Sequence, residues 1–201
     1  YQKKLFLNKV ILIEGDFLKN HIFKKIVREF KKYKKKVVVF SNLPYKTAIP
    51  ILAKIFRNRN YFQKLILMFQ KEQAERIMAK KNTKSYGRIS VIAQWLCDIK
   101  KKMHLSPNYF FPKPKIDSSI LEFKFKKKIK KVDNEDLLSD LIKKCFSQRR
   151  KTIKNNLKKT INFSDQVFLN CGINSKKRPE ELDFIDFINL SNFLSKHKKE
   201  L

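Results

Sequence analysis

The segment 41–45, Ser-Asn-Leu-Pro-Tyr, contains the residue types best suited to chemistry on a nucleobase. It follows the apolar run 37–40, and ligands of open α/β sheets bind outside the carboxyl ends of strands. The Asn42 side-chain carbonyl and the backbone carbonyl of the Leu43–Pro44 turn can accept hydrogen bonds from an exocyclic amine, while Tyr45 can stack on the ring. Two such acceptors direct the nitrogen lone pair towards an electrophile. The pattern alone is equally compatible with a loop that merely ends a strand.

The charge of the chain indicates a polyanionic partner. The 201 residues include 48 Lys and Arg against 18 Asp and Glu, which gives a formal net charge of +30. Nucleic acid explains that charge better than an anionic membrane surface does. The hydrophobic fraction is 42% and includes 18 Phe, which is enough for a core and excludes full disorder. No apolar run approaches the length of a membrane span.

Cysteine, histidine and glycine form no recognisable metal or nucleotide motif. The three cysteines lie far apart without CxxC spacing, so we expect reduced thiols in a cytoplasmic protein. The three histidines are also scattered, and we predict no metal site. The three glycines, Gly15, Gly87 and Gly172, form neither a GxGxxG fingerprint nor a Walker loop.

Apolar periodicity predicts an α/β sheet followed by helices. The predicted strands are 10–13, 37–40, 65–69 and 119–125, and the helices between them are 21–34, 47–56, 71–79 and 89–96. Beyond the basic connector 126–131 the pattern predicts helices alone, at 135–146, 149–158, 164–171 and 180–195. We therefore predict a sheet domain over residues 1–127 and a small all-helical C-terminal domain over residues 132–201.

Several segments, in collinear order over nearly the whole chain, resemble those of one enzyme family. Residues 42–45, NLPY, are similar to the fourth motif of adenine amino-group methyltransferases. The other segments are QKE at 70–72, YGRIS at 86–90, FFPKPKIDS at 110–118, FSQRRKTIKNNL at 146–157 and RPEEL at 178–182. Together they resemble the small-subunit ribosomal RNA adenine dimethyltransferase family (the KsgA family).

The resemblance implies a Rossmann-like methyltransferase sheet and an rRNA substrate. Its members transfer methyl groups from S-adenosylmethionine to two adjacent adenosines near the 3′ end of small-subunit rRNA during ribosome biogenesis. Asn42 and Pro44 would hold the target amine. Tyr45 and Phe110 would stack on the two faces of an adenine flipped out of its helix.

The resemblance also assigns the cofactor contacts. Asp16 would bind the adenine of S-adenosylmethionine, Phe17 would pack beside it, and the strand end at Asn42 would complete the pocket. The family begins with a strand and a glycine-rich loop, and then a second strand that ends in an acid; neither is found in this sequence. We therefore expect an incomplete, N-terminally truncated methyltransferase sheet. We also expect weak cofactor binding by this chain alone, which leaves its activity in isolation open.

Basic residues of the helical part are predicted to hold rRNA phosphates. Arg149, Arg150, Lys151 and Lys154 fall on one predicted helix, and Arg88 flanks a loop near the proposed target pocket. The alternative is a solvated basic face in a lysine-rich protein. The partner implied is small-subunit rRNA in the immature small ribosomal subunit, and we expect a monomer that binds no membrane.

Three other functions compete with rRNA adenine dimethylation by this chain. A non-catalytic RNA-binding assembly factor would keep the basic surface, but it has no need of segment 42–45 or of Phe110. The related large-subunit rRNA methyltransferases that confer antibiotic resistance differ in their C-terminal part, and segment 146–157 favours the small-subunit branch. A DNA adenine methyltransferase would need a sequence-reading module, and no segment resembles one.

Overall fold

A four-stranded mixed sheet forms the centre of the molecule. The computed structural model describes residues 10–32, 34–158 and 165–197. The strands are β1 (Val37–Asn42), β2 (Phe62–Gln70), β3 (Cys97–Leu105) and β4 (Ser118–Phe125), in the order β1-β2-β4-β3. β1 is parallel to β2, whereas β4 is antiparallel to both of its neighbours. The predicted α/β fold class is confirmed.

Among the described residues, four helices accompany the sheet and four more follow it. The first set is α1 (Asn20–Lys32), α2 (Ala48–Arg57), α3 (Lys71–Met78) and α4 (Arg88–Leu96). The second set is α5 (Glu135–Cys145), α6 (Ile153–Leu157), α7 (Asp165–Asn170) and α8 (Phe184–Lys196). Positions 33 and 164, which two predicted helices include, lie outside the described residues. Within the described ranges, no helix is both long and apolar enough to cross a membrane.

One face of the sheet is buried beneath helices. Its central side chains, Leu65 and Leu67 of β2 with Leu121 and Phe123 of β4, are 0% exposed. Successive strand residues point to opposite faces, so these alternate positions form one apolar layer. The ring of Phe56 in α2 meets Phe123 edge to face, with 6.1 Å between centroids. This packing fixes the strand ends that carry the site.

The helical part packs on the sheet part through aromatic rings. Phe146, just after α5, lies 6.2 Å from the ring of Tyr86 and 5.8 Å from that of Phe187 in α8. These residues belong to one apolar cluster that continues from the sheet into the helices. A division into domains at residues 127 and 132 stays a prediction.

The predicted strand 10–13 is wrong. These residues have no assigned strand, and Val10 and Leu12 are 54% and 79% exposed. A β-branched run becomes a strand only when a neighbour pairs its backbone groups, and no described residue pairs with this segment. Apolar composition alone therefore misassigned it.

The sequence analysis missed strand β3 and misplaced one helix start. β3 includes Lys100, Lys101 and Lys102, which hide the apolar alternation, and it pairs only with β4 among the described strands. Lysine is common on edge strands because it prevents further pairing. The helix predicted from residue 180 begins instead at Phe184, because the Asp183 carboxylate caps it by accepting hydrogen bonds from the next backbone N–H groups.

Candidate active site

The turn after β1 is held in place by its own backbone. Asn42 ends β1, and Leu43 turns inward to a position only 7% exposed. The Pro44 carbonyl accepts hydrogen bonds from the Thr47 N–H at 3.0 Å and from the Thr47 hydroxyl at 3.2 Å. The turn therefore leads directly into α2 while Asn42 remains exposed at the strand end. No described residue hydrogen-bonds the Asn42 side-chain amide, which leaves its carbonyl open to a ligand.

Tyr45 is fixed by two contacts from distant parts of the chain. Its phenolic oxygen lies 2.7 Å from the hydroxyl of Ser118, the fully buried first residue of β4. Its backbone carbonyl accepts a hydrogen bond of 3.0 Å from the Gln73 side-chain amide in α3. The half-buried ring is thus set by β4 and α3 rather than by its own loop.

Phe110 lies in the loop that joins β3 to β4. A short 3₁₀ turn, Pro107–Tyr109, precedes it, and the Phe110 N–H donates to the Pro107 carbonyl at 3.2 Å. At the far end of the loop, the Asp117 carbonyl accepts a hydrogen bond of 2.9 Å from the Lys71 N–H. The loop is therefore anchored to the start of α3, next to the side chain that holds Tyr45.

The turn after β1 and the loop between β3 and β4 border an open cavity of about 400 Å³. Its lining includes four predicted site residues, Asn42, Pro44, Tyr45 and Phe110. Five further lining residues are Leu43, Met68, Phe111, Pro112 and Pro114. The volume lies within the range of small-molecule sites, and the mixture of apolar walls with one polar amide is typical of them. The arrangement can hold a flat aromatic ring with a hydrogen-bond donor at its edge.

Met68, Ser118 and Gln73 are the site residues that sequence reasoning missed. Met68 faces the cavity from β2, where strand register pairs it with Asn42. Ser118 stands in a segment that the resemblance includes, but only strand pairing brings it beneath Tyr45. No signal in the sequence indicates the contact between Gln73 and Tyr45.

Asp16 and Phe17 lie outside this cavity, before α1. One Asp16 carboxylate oxygen accepts a hydrogen bond of 2.8 Å from the Leu18 N–H. Phe17 packs edge to face on Phe23 of α1, with 5.3 Å between ring centroids. Gly15 precedes them at φ +144°, and a Cβ there would lie 2.4 Å from the Ile22 side chain. Glycine is therefore required at this turn, which presents the exposed Asp16 to solvent.

Two of the predicted RNA-binding cations already have partners within the protein. The Arg149 guanidinium donates to the backbone carbonyls of Lys84 and Tyr86, the latter at 3.0 Å. The Lys154 ammonium pairs with the Asp165 carboxylate at 2.5 Å and holds the pKa of that carboxyl below its usual value. Both cations therefore connect parts of the fold.

The other predicted cations are exposed, but they do not share one helix. The predicted helix 149–158 is instead a turn followed by α6, because the Thr152 hydroxyl caps that helix by accepting from the Asn155 N–H at 3.3 Å. Arg150 and Lys151 lie on the preceding turn, and neither side chain contacts a partner among the described residues. Arg88 lies at the start of α4 and borders a separate groove of about 700 Å³ against α2 and α5.

The cysteines lie away from the cavity. Burial raises the pKa of the Cys97 and Cys145 thiols to about 12, so both are protonated at neutral pH. Within residues 10–32, 34–158 and 165–197, no three His, Cys, Asp or Glu side chains cluster as metal ligands would.

Comparison with known proteins decides the family. A family model described as "Ribosomal RNA adenine dimethylase" matches residues 1–196. The chain belongs to the ribosomal RNA adenine dimethylase family. The resemblance seen in the sequence is thereby confirmed.

Curated relatives of this dimethylase-family chain include several named "Ribosomal RNA small subunit methyltransferase A". The chain is 39% identical over 184 residues to the protein of that name from Wolbachia pipientis wMel, covering 92% of this chain and 62% of the relative. It is 41% identical over 162 residues to the one from Anaplasma phagocytophilum (strain HZ), covering 78% of this chain and 58% of the relative. The chain thus spans about three fifths of the length of these relatives.

Solved structures support the same fold for this dimethylase-family chain. A dimethyladenosine transferase from Plasmodium falciparum aligns with a TM-score of 0.68 at 24% identity, covering 91% of this chain and 80% of that one. The 23S rRNA methyltransferase ErmE aligns with a TM-score of 0.54 at 14% identity, covering 89% of this chain and 80% of that one. At these identities the likeness concerns the fold.

Proposed function

We propose that this chain is the target-binding and rRNA-binding part of an S-adenosylmethionine-dependent rRNA adenine N6,N6-dimethyltransferase. The proposed substrate is a pair of adjacent adenosines near the 3′ end of small-subunit rRNA, in the immature small subunit. The observation that carries the proposal is the cavity in which Asn42, Pro44, Tyr45 and Phe110 meet. Those residues come from separate parts of the chain, and the family resemblance assigned all of them to one adenine.

Amine recognition follows from the strand end. The Asn42 side-chain carbonyl and the Leu43 carbonyl, at the Leu43–Pro44 turn, would accept the two hydrogens of the adenine N6 amine, since the Pro44 carbonyl already accepts two hydrogen bonds from Thr47. The lone pair would then leave conjugation with the ring and point out of its plane. Since Asn42 is exposed and has no described partner, it meets an incoming amine without first breaking a hydrogen bond to a described residue. Positioning of this kind lowers the barrier by several kcal/mol, up to about 7–11 in well-oriented systems.

Stacking would hold the adenine in the cavity. The ring of Tyr45 is fixed through Ser118, and Phe110 lies on an anchored loop. Each stacked aromatic ring contributes roughly 1–3 kcal/mol to nucleobase binding. This offsets part of the free energy needed to unstack the target from its RNA neighbours.

Asp16 fits the cofactor role that the resemblance gives it. One of its carboxylate oxygens is occupied by the Leu18 N–H, and the other has no partner among the described residues. A free carboxylate oxygen suits the N–H donors of an adenosine group. The cofactor supplies a methyl group bound to a positively charged sulfur. No general base is needed, because the proton can leave to water once the nitrogen carries the added methyl group.

RNA binding would rest mainly on charge. The net charge of +30 suits an RNA backbone, and Arg150 and Lys151 are exposed beside the helical part. Arg149 and Lys154 would act less directly, since each already holds a protein group. A non-catalytic assembly factor remains the second candidate, and the proposed amine acceptor is the feature that separates the two.

The test compares Asn42→Ala with Phe110→Ala in the whole protein that carries this sequence. Single-turnover methyl transfer to unmethylated small subunits is followed by mass spectrometry of the adenosines, with RNA affinity measured in parallel. Asn42→Ala should reduce the rate far more than the affinity, because its hydrogen bond strengthens as the amine becomes pyramidal. Phe110→Ala should weaken capture by about 5- to 150-fold, which corresponds to the loss of one stacked ring.

The exposed Asn170 in α7 provides a matched control, and Asn170→Ala should change neither quantity. Methyl transfer by Asn42→Ala at the unmodified rate would show that the target pocket is elsewhere. RNA binding without any methyl transfer by the unmodified protein would favour the assembly factor.

A further inference from the structure

We infer that Phe111 is a second stacking platform, which binds the nucleobase next to the adenine in the cavity. The inference rests on the proposed function, because it assumes that an RNA strand enters the cavity beside Asn42. Phe111 would contact the flanking nucleotide, and it would therefore position the RNA strand in addition to the target base.

The first observation is the exposure of Phe111. Its relative exposure is 102%, and Tyr109 in the same loop is 75% exposed. Single exposed apolar residues are ordinary on protein surfaces. Here, however, the exposed rings flank Phe110 in the chain, and Phe111 itself belongs to the lining of the cavity. Such rings match an unstacked base, which offers a flat apolar face.

The second observation is the backbone conformation of Phe110, at φ −126° and ψ 146°. Successive side chains of an extended backbone point to opposite sides. The rings of Phe110 and Phe111 therefore leave the backbone on different sides, although both residues border the cavity, and we infer that they stack on different bases. If Phe110 contacts the adenine in the cavity, Phe111 is left for the base that precedes or follows it along the strand.

The third observation is that the loop presents Phe111 on a constrained backbone. The loop is restricted in its φ angles by three prolines, Pro107, Pro112 and Pro114. The 3₁₀ turn fixes one end of the loop, and the hydrogen bond between Asp117 and Lys71 fixes the other. Stacking on such a loop therefore loses less conformational entropy than stacking on a mobile one.

The fourth observation is the charge around the ring. Lys113 and Lys115 follow Phe111 in the loop, and both are exposed. The phosphates on either side of a flanking nucleotide would meet these ammonium groups. Stacked aromatic rings interleaved with cations are the usual arrangement of sites for single-stranded RNA.

The test is a double-mutant cycle between the protein and the RNA. The probe is a nine-nucleotide RNA with one central adenosine in a uridine tract. Three further RNAs lack one base each: the adenine, its 5′ neighbour or its 3′ neighbour. Binding of the 201-residue chain is measured for unmodified protein and for Phe111→Ala. We expect Phe111→Ala to weaken binding of the intact RNA by about 5- to 150-fold. That loss should disappear for one of the shortened RNAs only, either the one that lacks the 5′ neighbour or the one that lacks the 3′ neighbour.

Several variants keep the result specific. Phe111→Trp should retain affinity because its ring still stacks, whereas Phe111→Leu should lose most of it. Leu169→Ala, which removes a side chain 65% exposed in α7, is the matched control and should have no effect. The melting temperature of Phe111→Ala should be unchanged, since the ring buries no area.

Failures of the inference and of the proposed function can be told apart. If Phe111→Ala weakens binding of every RNA equally, or of none, the inference is overturned. The proposed function is examined by Phe110→Ala, whose effect should disappear only when the central adenine is missing. If Phe110→Ala shows no such coupling, the adenine does not enter the cavity, and both ideas fail.

Discussion

Replacing Tyr45 with phenylalanine should destabilise the protein although the stacking ring remains. The change removes only the phenolic oxygen that lies 2.7 Å from the Ser118 hydroxyl. Ser118 is fully buried at the start of β4, and its hydroxyl has no other partner among the described residues. The substitution therefore leaves a buried polar group without a hydrogen bond.

The size of the effect follows from that burial. An unsatisfied buried hydroxyl costs roughly 1–3 kcal/mol, more than the net gain of an ordinary hydrogen bond. For a protein of this size, each kcal/mol lowers the melting temperature by about 2–4 °C. Tyr45→Phe should thus melt about 2–12 °C lower. Affinity for RNA should change by less than about threefold, because phenylalanine still stacks.

The assay is thermal melting of Tyr45→Phe, Ser118→Ala and the double variant. Removing both polar groups leaves no unsatisfied hydroxyl, so the double variant should be more stable than Tyr45→Phe alone. If the three variants are additive, or if Tyr45→Phe melts like the unmodified protein, the hydrogen bond does not fix the ring. Our account of how β4 positions the cavity wall would then be wrong.

Two further predictions concern charge. Replacing Arg150 and Lys151 by glutamine should reduce the slope of log affinity against log salt by about 1.4, which is about 0.7 for each lost phosphate contact on single-stranded RNA. The same change at Arg149 and Lys154 should reduce the slope less. Titration of single-stranded RNA at several salt concentrations measures both slopes, and equal slopes for the two double variants would contradict the assignment. The Lys64 ammonium, 2.7 Å from the buried Glu122 carboxylate, lowers the pKa of that group from its ordinary 4.5. A carboxyl with a lowered folded-state pKa stabilises the fold above its unfolded pKa and loses that contribution as the pH falls through the folded value. The melting-temperature difference between unmodified protein and Glu122→Gln should therefore be constant above about pH 5 and shrink in more acid solution, and a difference that is the same at all pH values would disprove the role of Glu122.

The sequence located the strand end that borders the cavity because its signals are local. An apolar run followed by a polar turn identifies a strand end, and Asn42 lies at such an end. The place of Phe110 came from the resemblance alone, since its loop has no periodicity. The contacts of Tyr45 with Ser118 and Gln73 join residues far apart in the chain. Only strand register and helix packing create contacts of that kind, and neither can be read from composition.

The errors arose where composition and pairing disagree. Residues 10–13 are apolar enough for a strand, yet strands exist through their neighbours, and this segment has none among the described residues. β3 is the opposite case, because its lysines suggest a loop while β4 pairs with it along its length. For Arg149 the phosphate contact stays a prediction, and the sequence did not indicate that its guanidinium holds two backbone carbonyls.

The two halves of the proposed reaction depend on different structural supports. The cavity proposed for the target base is built on the sheet, with Asn42 and Met68 paired across β1 and β2. Asp16, by contrast, is held by a local turn, which joins the sheet helices through the apolar packing of Phe17 and Leu18 and through the Lys54 ammonium of α2. The ammonium donates to the Leu18 carbonyl at 2.6 Å and to the Asn20 side chain at 3.0 Å. Because α2 continues directly from the turn that contains Pro44, Lys54 connects Asp16, the proposed cofactor contact, to the element that shapes the cavity.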